Sequence, residues 1–206
     1  MITETQLKIF EVFAKSPFLE HTRKEIKKIS KEKSNNTLAL TINLLKKEEV
    51  LIEKKIGKSG VLTLNLENNL TYQYIALSNN NKIIATTKQS IDYLKKELSE
   101  HTPFYSIVIF GSYAVGKENK NSDLDVAIFI DNKLQVKYLE VLANSAKLKS
   151  AIEMDIHIIP RMEMIEMLTN KEENLGKQIA RKHLAIYNHK IFYDIINEGI
   201  KHGFRI

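Results

Sequence analysis

No cysteine occurs among the 206 residues, which excludes disulfide frameworks, thiolate zinc sites and cysteine nucleophiles and points to a reducing compartment. No apolar run approaches the ~18 residues needed to cross a bilayer, and the opening "MITETQLKIFEVF" mixes charges into its apolar positions. The expectation is a cytoplasmic protein with no membrane partner. The six histidines show no metal-ligand spacing, and no internal repeat is visible. Glycine is scarce: of seven in the chain, two fall together at Gly111 and Gly116, in "FGSYAVGKENKNSDLDVAIFI". What remains is an ordinary globular balance, 43% hydrophobic and 27% charged, enough for one or two small domains. A net charge of +6 favours an anionic partner without identifying one.

Leu7, Ile9, Phe10, Val12 and Phe13 recur at helical spacing and predict a first helix over residues 4–14. Thr22 predicts the cap of a second, "RKEIKKIS", with Ile26 and Ile29 inward and Arg23, Lys24, Lys27 and Lys28 outward. In "NNTLALTINLLKKEEV", Leu38, Thr41, Ile42 and Leu45 share one stripe, so a third helix follows, capped by Asn or Ser. "VLIEKKI" and "VLTLNL" alternate on either side of "GKSG", the pattern of a β-hairpin. Three short helices and a hairpin over residues 1–70 resemble a winged helix-turn-helix domain. That resemblance implies duplex DNA as a partner, with Asn35, Asn36, Thr37 and Thr41 facing the major groove and Lys54, Lys55 and Lys58 on the wing beside phosphates. The competing reading makes these lysines a solvated face of a protein-contacting domain. Residues 71–100 read as a helical connector, with Ile84, Thr87, Ile91, Leu94 and Leu98 on one face. Pro103 ends it, and residues 101–206 form the second domain.

In that domain, Gly111 directly follows the strand-like "SIVIF" and precedes Ser112, so backbone N–H groups and a hydroxyl can approach a phosphate unobstructed. Gly116 lets the turn close. Asp123 and Asp125 lie two residues apart on the next strand, so both carboxylates project from one face. A pair held that way can share one or two hard divalent cations, magnesium being the natural one beside nucleotide phosphates. Val126, Ile128 and Ile130 supply the buried positions of that strand.

The run of Gly111, Ser112, Gly116, Ser122, Asp123 and Asp125 resembles the nucleotidyltransferase superfamily, and its minimal stand-alone members in particular. The resemblance implies an α+β fold with a small mixed sheet flanked by helices. It also implies a metal-dependent transfer of a nucleoside monophosphate, AMP from ATP first, to a hydroxyl of a protein, an RNA or a small molecule. Asp123, Asp125 and a third carboxylate would be the catalytic metal ligands of a two-metal magnesium site, and Gly111, Ser112, Gly116, Lys117 and Ser122 would hold the nucleotide. Asp155 in "AIEMDIHIIP" is the expected third carboxylate, with Glu153 on the same face as the competing assignment. Members commonly carry arginine just before the second glycine; this chain has Val115 there, with Lys117 on the other side. The rival reading is a DNA-binding regulator whose second domain senses nucleotide or acts as a scaffold. Near the C-terminus, Leu184, Ile186, Tyr187, Ile191, Phe192 and Ile195 read as packing helices, with Arg181, Lys182, His183 and Lys190 as an outer basic face. The methionines of "RMEMIEMLT" read as core or as the surface of a homodimer.

Overall fold

The computed structural model describes residues 2–57 and 59–206. The chain divides into two compact units, residues 1–78 and 79–206, each a mixture of helices around one small sheet.

In the N-terminal unit, α1 (Glu4–Ala14) starts at a capping box in which Thr3 and Gln6 satisfy each other's backbone N–H groups. α2 (Arg23–Ser30) starts the same way at Thr22 and Glu25, and Ser34 caps α3 (Asn35–Lys47). β1 (His21–Thr22), β2 (Leu51–Ile56) and β3 (Ser59–Leu64) form an antiparallel sheet in the order β1-β3-β2. Phe10, Phe13, Ile26, Ile42, Leu45 and Leu62 are fully buried, and each such side chain contributes roughly 1.5–3 kcal/mol relative to exposure. The stripe expected on the third helix is the one observed: Leu38, Thr41, Ile42 and Leu45 are its buried residues. In α2 the expected inward pair is corrected. Ile26 is buried but Ile29 is exposed, and Ser30 takes the inner position by donating its hydroxyl to the Ile26 carbonyl. α4 (Asn69–Asn80) carries the division between the two units in its last turn.

The C-terminal unit is built on a four-stranded mixed sheet of β4 (Tyr105–Ile109), β5 (Leu124–Ile130), β6 (Met154–Pro160) and β7 (Leu184–Tyr187), in the order β6-β5-β4-β7. β5 runs antiparallel to β4 and parallel to β6, and β7 is antiparallel to β4. Alternation sends Tyr105, Ile107 and Ile109 of β4 and Leu124, Val126, Ile128 and Ile130 of β5 into one core. There they meet Ile91, Leu94 and Leu98 of α5 (Ala85–Ser99) and Leu139, Ala143 and Ala146 of α7 (Val136–Lys149). On the opposite face Phe129 meets Phe192 of α10 (His189–Lys201) with ring centroids 5.1 Å apart, and α8 (Arg161–Thr169) packs along α10.

Two expectations are revised in this unit. Ile84 is exposed and serves only as the residue before α5, whose inner face is completed by Ser90. Leu184–Tyr187 is a strand, not part of a packing helix. It pairs with β4, which would otherwise be an open edge, while helix begins only after Asn188 turns the chain through a left-handed conformation. Among the described residues no helix is long and apolar enough to cross a membrane.

Candidate active site

The site grows out of one crossing of the sheet. At the end of β4 the chain enters a single helical turn, α6 (Gly111–Ala114). Gly111 has φ +63°, a left-handed conformation that a side chain disfavours. A second constraint acts at the same atom, because a Cβ placed there would fall 1.9 Å from Asp125 Oδ2 and 2.8 Å from its Cγ. Glycine at 111 is therefore what allows the Asp125 carboxylate to lie against the turn. The Ser112 carbonyl accepts hydrogen bonds from Lys117 N, at 3.0 Å, and Val115 N, and Gly116 closes the turn at φ +65° with open space around it.

Asp125 sits on β5 in direct register with Asp155 on the parallel strand β6, so the two carboxylates stand side by side on one face. Asp123, expected on the same strand, is exposed and lies just before β5, near enough for its charge to act on Asp125. Glu153 lies just before β6, where its carbonyl accepts from Leu124 N; the residue opposite Asp125 is Asp155. Asp155 Oδ2 is 3.0 Å from His157 Nε2, and the His157 ring lies 5.7 Å from that of Phe110. Burial pushes the Asp125 carboxyl above the usual carboxylate range, the negative charges of Asp155 and Asp123 push it further, and His157 opposes them.

These carboxylates are a hard-oxygen donor set whose mutual repulsion a divalent cation would relieve, so the residues fit such an ion by chemistry. Among the described residues, no three metal-ligating side chains have already converged on one point.

A cavity of about 690 Å³ opens beside the pair, lined by Phe110, Gly111, Ser112, Val115, Lys117 and Asp125 on one side and by Glu173, Gln178, Arg181 and Lys182 on the other. Val115, at 43% exposure, is not a packing residue. The second wall comes from α9 (Leu175–Arg181) and the segment before it. Arg181 and Lys182 were legible in the sequence as part of a basic face; Glu173 and Gln178 were not, since nothing local marks residues that a fold brings about 50 positions back to the Asp125 strand. His183 does not belong to an outer face. Its Nδ1 faces the carbonyls of Ile179 and Ala180 and so carries the proton, leaving Nε2 to accept from Tyr193 OH at 3.2 Å.

A separate cavity of about 670 Å³ lies on the Asp123 side, with Tyr113, Glu118, Asn121, Ser122, Asp123 and Glu153 among its lining. Ser122 is placed here rather than with Ser112. Its hydroxyl accepts from Asn119 N at 3.0 Å and so organises the loop.

Of the residues expected to read DNA, Asn35 and Asn36 are exposed and Thr37 half-buried at the start of α3. Asn35 Oδ1 accepts from Lys27. Thr41 is corrected: at 1% exposure, with its hydroxyl donated to the Thr37 carbonyl, it faces the core of its unit and presents nothing to a groove. Lys54 and Lys55 are exposed on β2, Lys54 within 3.3 Å of Glu20, and Lys58 lies outside the described residues.

The family model for the nucleotidyltransferase domain matches residues 91–184. The chain is similar to the protein adenylyltransferase MntA of Shewanella oneidensis, with 28% identity over 121 residues covering 54% of this chain and 78% of the relative. It is also similar to two putative protein adenylyltransferases of Methanocaldococcus jannaschii. One is 36% identical over 61 residues, covering 29% of this chain and 71% of the relative; the other is 31% identical over 80 residues, covering 39% and 80%.

Proposed function

Since the chain belongs to the nucleotidyltransferase family, we propose that it moves AMP from ATP to a hydroxyl group of a protein, with magnesium as the metal. The observation that carries this reading is the register of Asp125 against Asp155, with Asp123 near enough for its charge to act on Asp125 and Gly111 cut back to admit the Asp125 carboxylate. The relatives' names, which speak of protein adenylyl transfer, support a protein acceptor.

Nucleotidyltransferase domains generally use divalent metals, and Asp123, Asp125 and Asp155 would hold them here. When bound, such ions neutralise phosphate charge and orient the triphosphate for in-line displacement. The remaining steps belong to side chains. Asp155 takes the proton of the acceptor hydroxyl, whose oxygen then bonds to the α-phosphorus as the bond to the β-phosphate breaks and pyrophosphate leaves. His157, hydrogen-bonded to Asp155 Oδ2, fixes that carboxylate's orientation. Ser112 and the backbone of the Gly111 turn hold the departing phosphates. No covalent enzyme intermediate is required, so the rate comes from alignment and charge neutralisation.

The N-terminal unit acts, in this reading, as a winged helix-turn-helix that binds duplex DNA. The order of three helices and a hairpin, the exposed Asn35 and Asn36 at the start of α3 and the exposed Lys54 and Lys55 on β2 support it.

The test is transfer of label from ATP carrying it on the α-phosphate, with magnesium, into protein of a lysate from the source cells. Wild type should label a discrete acceptor, and the Asp123→Ala/Asp125→Ala double variant, folded as judged by circular dichroism, should label none. Undiminished labelling by the double variant would sink the site assignment.

A further inference from the structure

The cavity that holds Gly111, Ser112 and Asp125 is closed on its far wall by cations that no step above uses. Lys117 stands on the near side; Arg181, the last residue of α9, and Lys182, the next residue, stand opposite. Among the described residues Lys117 and Lys182 make no ion pair. Arg181 makes one, in which its Nη1 donates to both carboxylate oxygens of Glu173, at 2.8 and 2.7 Å. A guanidinium has five N–H donors in a fixed fork, so this pair leaves the Nη2 edge for a second anion. The guanidinium also lies over the Phe204 ring, 5.8 Å from its centroid, which restricts how far it can swing.

Glu173 is held in place for a reason that can be read from its neighbours. Lys177, a buried residue of α9, donates its ammonium to the carbonyls of Asn170 and Glu172 at the segment that leads into the helix. Asn174 caps α9 through Lys177 N and donates its amide to the Met167 carbonyl. The carboxylate of Glu173 is thus presented to Arg181 from an anchored segment and offsets its charge.

A nucleoside triphosphate lying with its α-phosphate near Asp125 would run its β- and γ-phosphates between Ser112 on one side and this far wall on the other. Around the cavity as a whole, three cations, two of them on this wall, stand against one carboxylate other than Asp125, a balance that attracts a polyanion. We propose that Arg181 and Lys182 bind the triphosphate of the incoming nucleotide from across the cavity, and that Glu173 is a placeholder whose grip on Arg181 the phosphate takes over. This rests on the nucleotidyl-transfer reading and deepens it, because it adds to the Gly111 turn, where Val115 offers no donor, a second grip on the triphosphate from the opposite wall.

The experiment is calorimetric titration of the full chain with ATP and, separately, AMP, at fixed magnesium. Arg181→Ala and Lys182→Ala should each weaken ATP binding by about tenfold, the lower end for a hydrogen bond to a charged group at a partly exposed site, and leave AMP binding within twofold. Glu173→Gln, which keeps the shape and removes the competing charge, should tighten ATP binding severalfold and leave AMP unchanged. Because a truncation can disturb packing against Phe204, the Val115→Arg/Arg181→Ala double variant is the second arm, and it should recover most of the affinity that Arg181→Ala loses. Wild-type affinity in all three single variants, equal losses for ATP and AMP, or weaker ATP binding by Glu173→Gln would overturn the inference while the transfer reading stood. A wild-type chain that bound no ATP would overturn both.

Discussion

Replacing Gly111 by alanine separates two things that usually travel together, backbone strain and displacement of a catalytic group. The left-handed conformation at 111 costs an L-residue about 1–2 kcal/mol, and the new methyl must also push away a carboxylate oxygen that would otherwise lie 1.9 Å from it. Moving Asp125 off its preferred rotamer adds about 0.5–1.5 kcal/mol, so Gly111→Ala should lose about 2–3 kcal/mol of stability. Gly116→Ala is the matched control. It has nearly the same φ, +65°, with nothing within 4 Å of the added carbon, and should lose only the backbone part, about 1–2 kcal/mol. Catalysis should separate them more sharply, because an ångström of misplacement at a reacting centre costs on the order of a hundredfold. Urea unfolding gives the stabilities, and initial rates of α-label transfer at a temperature where both variants are folded give the activities. Gly111→Ala should be slower than Gly116→Ala by at least about tenfold. Equal rates would show that the Asp125 carboxylate need not lie where the turn puts it, and the reasoning would fail at its first step.

The other expectations follow from the same structure. Asp155→Asn should lower transfer by at least about a hundredfold while ATP affinity changes little, and Glu153→Gln should leave both unchanged; the reverse pattern in paired rate and titration measurements would move the third carboxylate to Glu153. Burial lowers His183 and His189 from the ordinary 6.5 to about 4, so between those values the unfolded chain binds protons that the folded chain refuses. Stability should accordingly be full above about pH 6.5 and fall as the pH drops toward 4, by at most about 3 kcal/mol per histidine. Urea unfolding across that range should show it, with a shallower slope in His183→Asn; an unchanged slope in that variant would contradict the assignment. Lys54→Glu with Lys55→Glu should weaken duplex binding for all sequences and reduce its salt dependence by about two counterions, and binding indifferent to both lysines and salt would give the N-terminal unit a protein-contact role.

Local patterns carried much of this architecture. The α3 stripe of Leu38, Ile42 and Leu45 and the capping residue Thr22 are short-range signals, and the chain folds locally as they direct, whereas β5 begins only at Leu124 and leaves Asp123 just outside it. Ile29, in the last turn of α2, and Ile84, just before α5, both lie at helix boundaries, where an apolar residue can be left outside while Ser30 in α2 and Ser90 in α5 take inner positions. Leu184–Tyr187 has too few residues for its period to distinguish helix from strand, and only the open edge of β4, far back in the chain, decides it. Thr41 belonged to two patterns at once, the buried stripe and the groove-facing start of α3, and burial took it. The far wall of the cavity was hidden for a related reason: Glu173 and Gln178 sit in a polar stretch without periodicity and acquire a role only when α9 is brought to Asp125.

The central claim is that the α-phosphorus, and not the γ-phosphorus, is what this site transfers. The most direct measurement supplies ATP labelled at the α-phosphate in one reaction and at the γ-phosphate in another, with magnesium, wild-type protein and lysate of the source cells. Protein-bound label from the α-position, with γ-label recovered in pyrophosphate, is the outcome predicted from the arrangement of Asp123, Asp125 and Asp155. Protein-bound label from the γ-position with none from the α-position would contradict it.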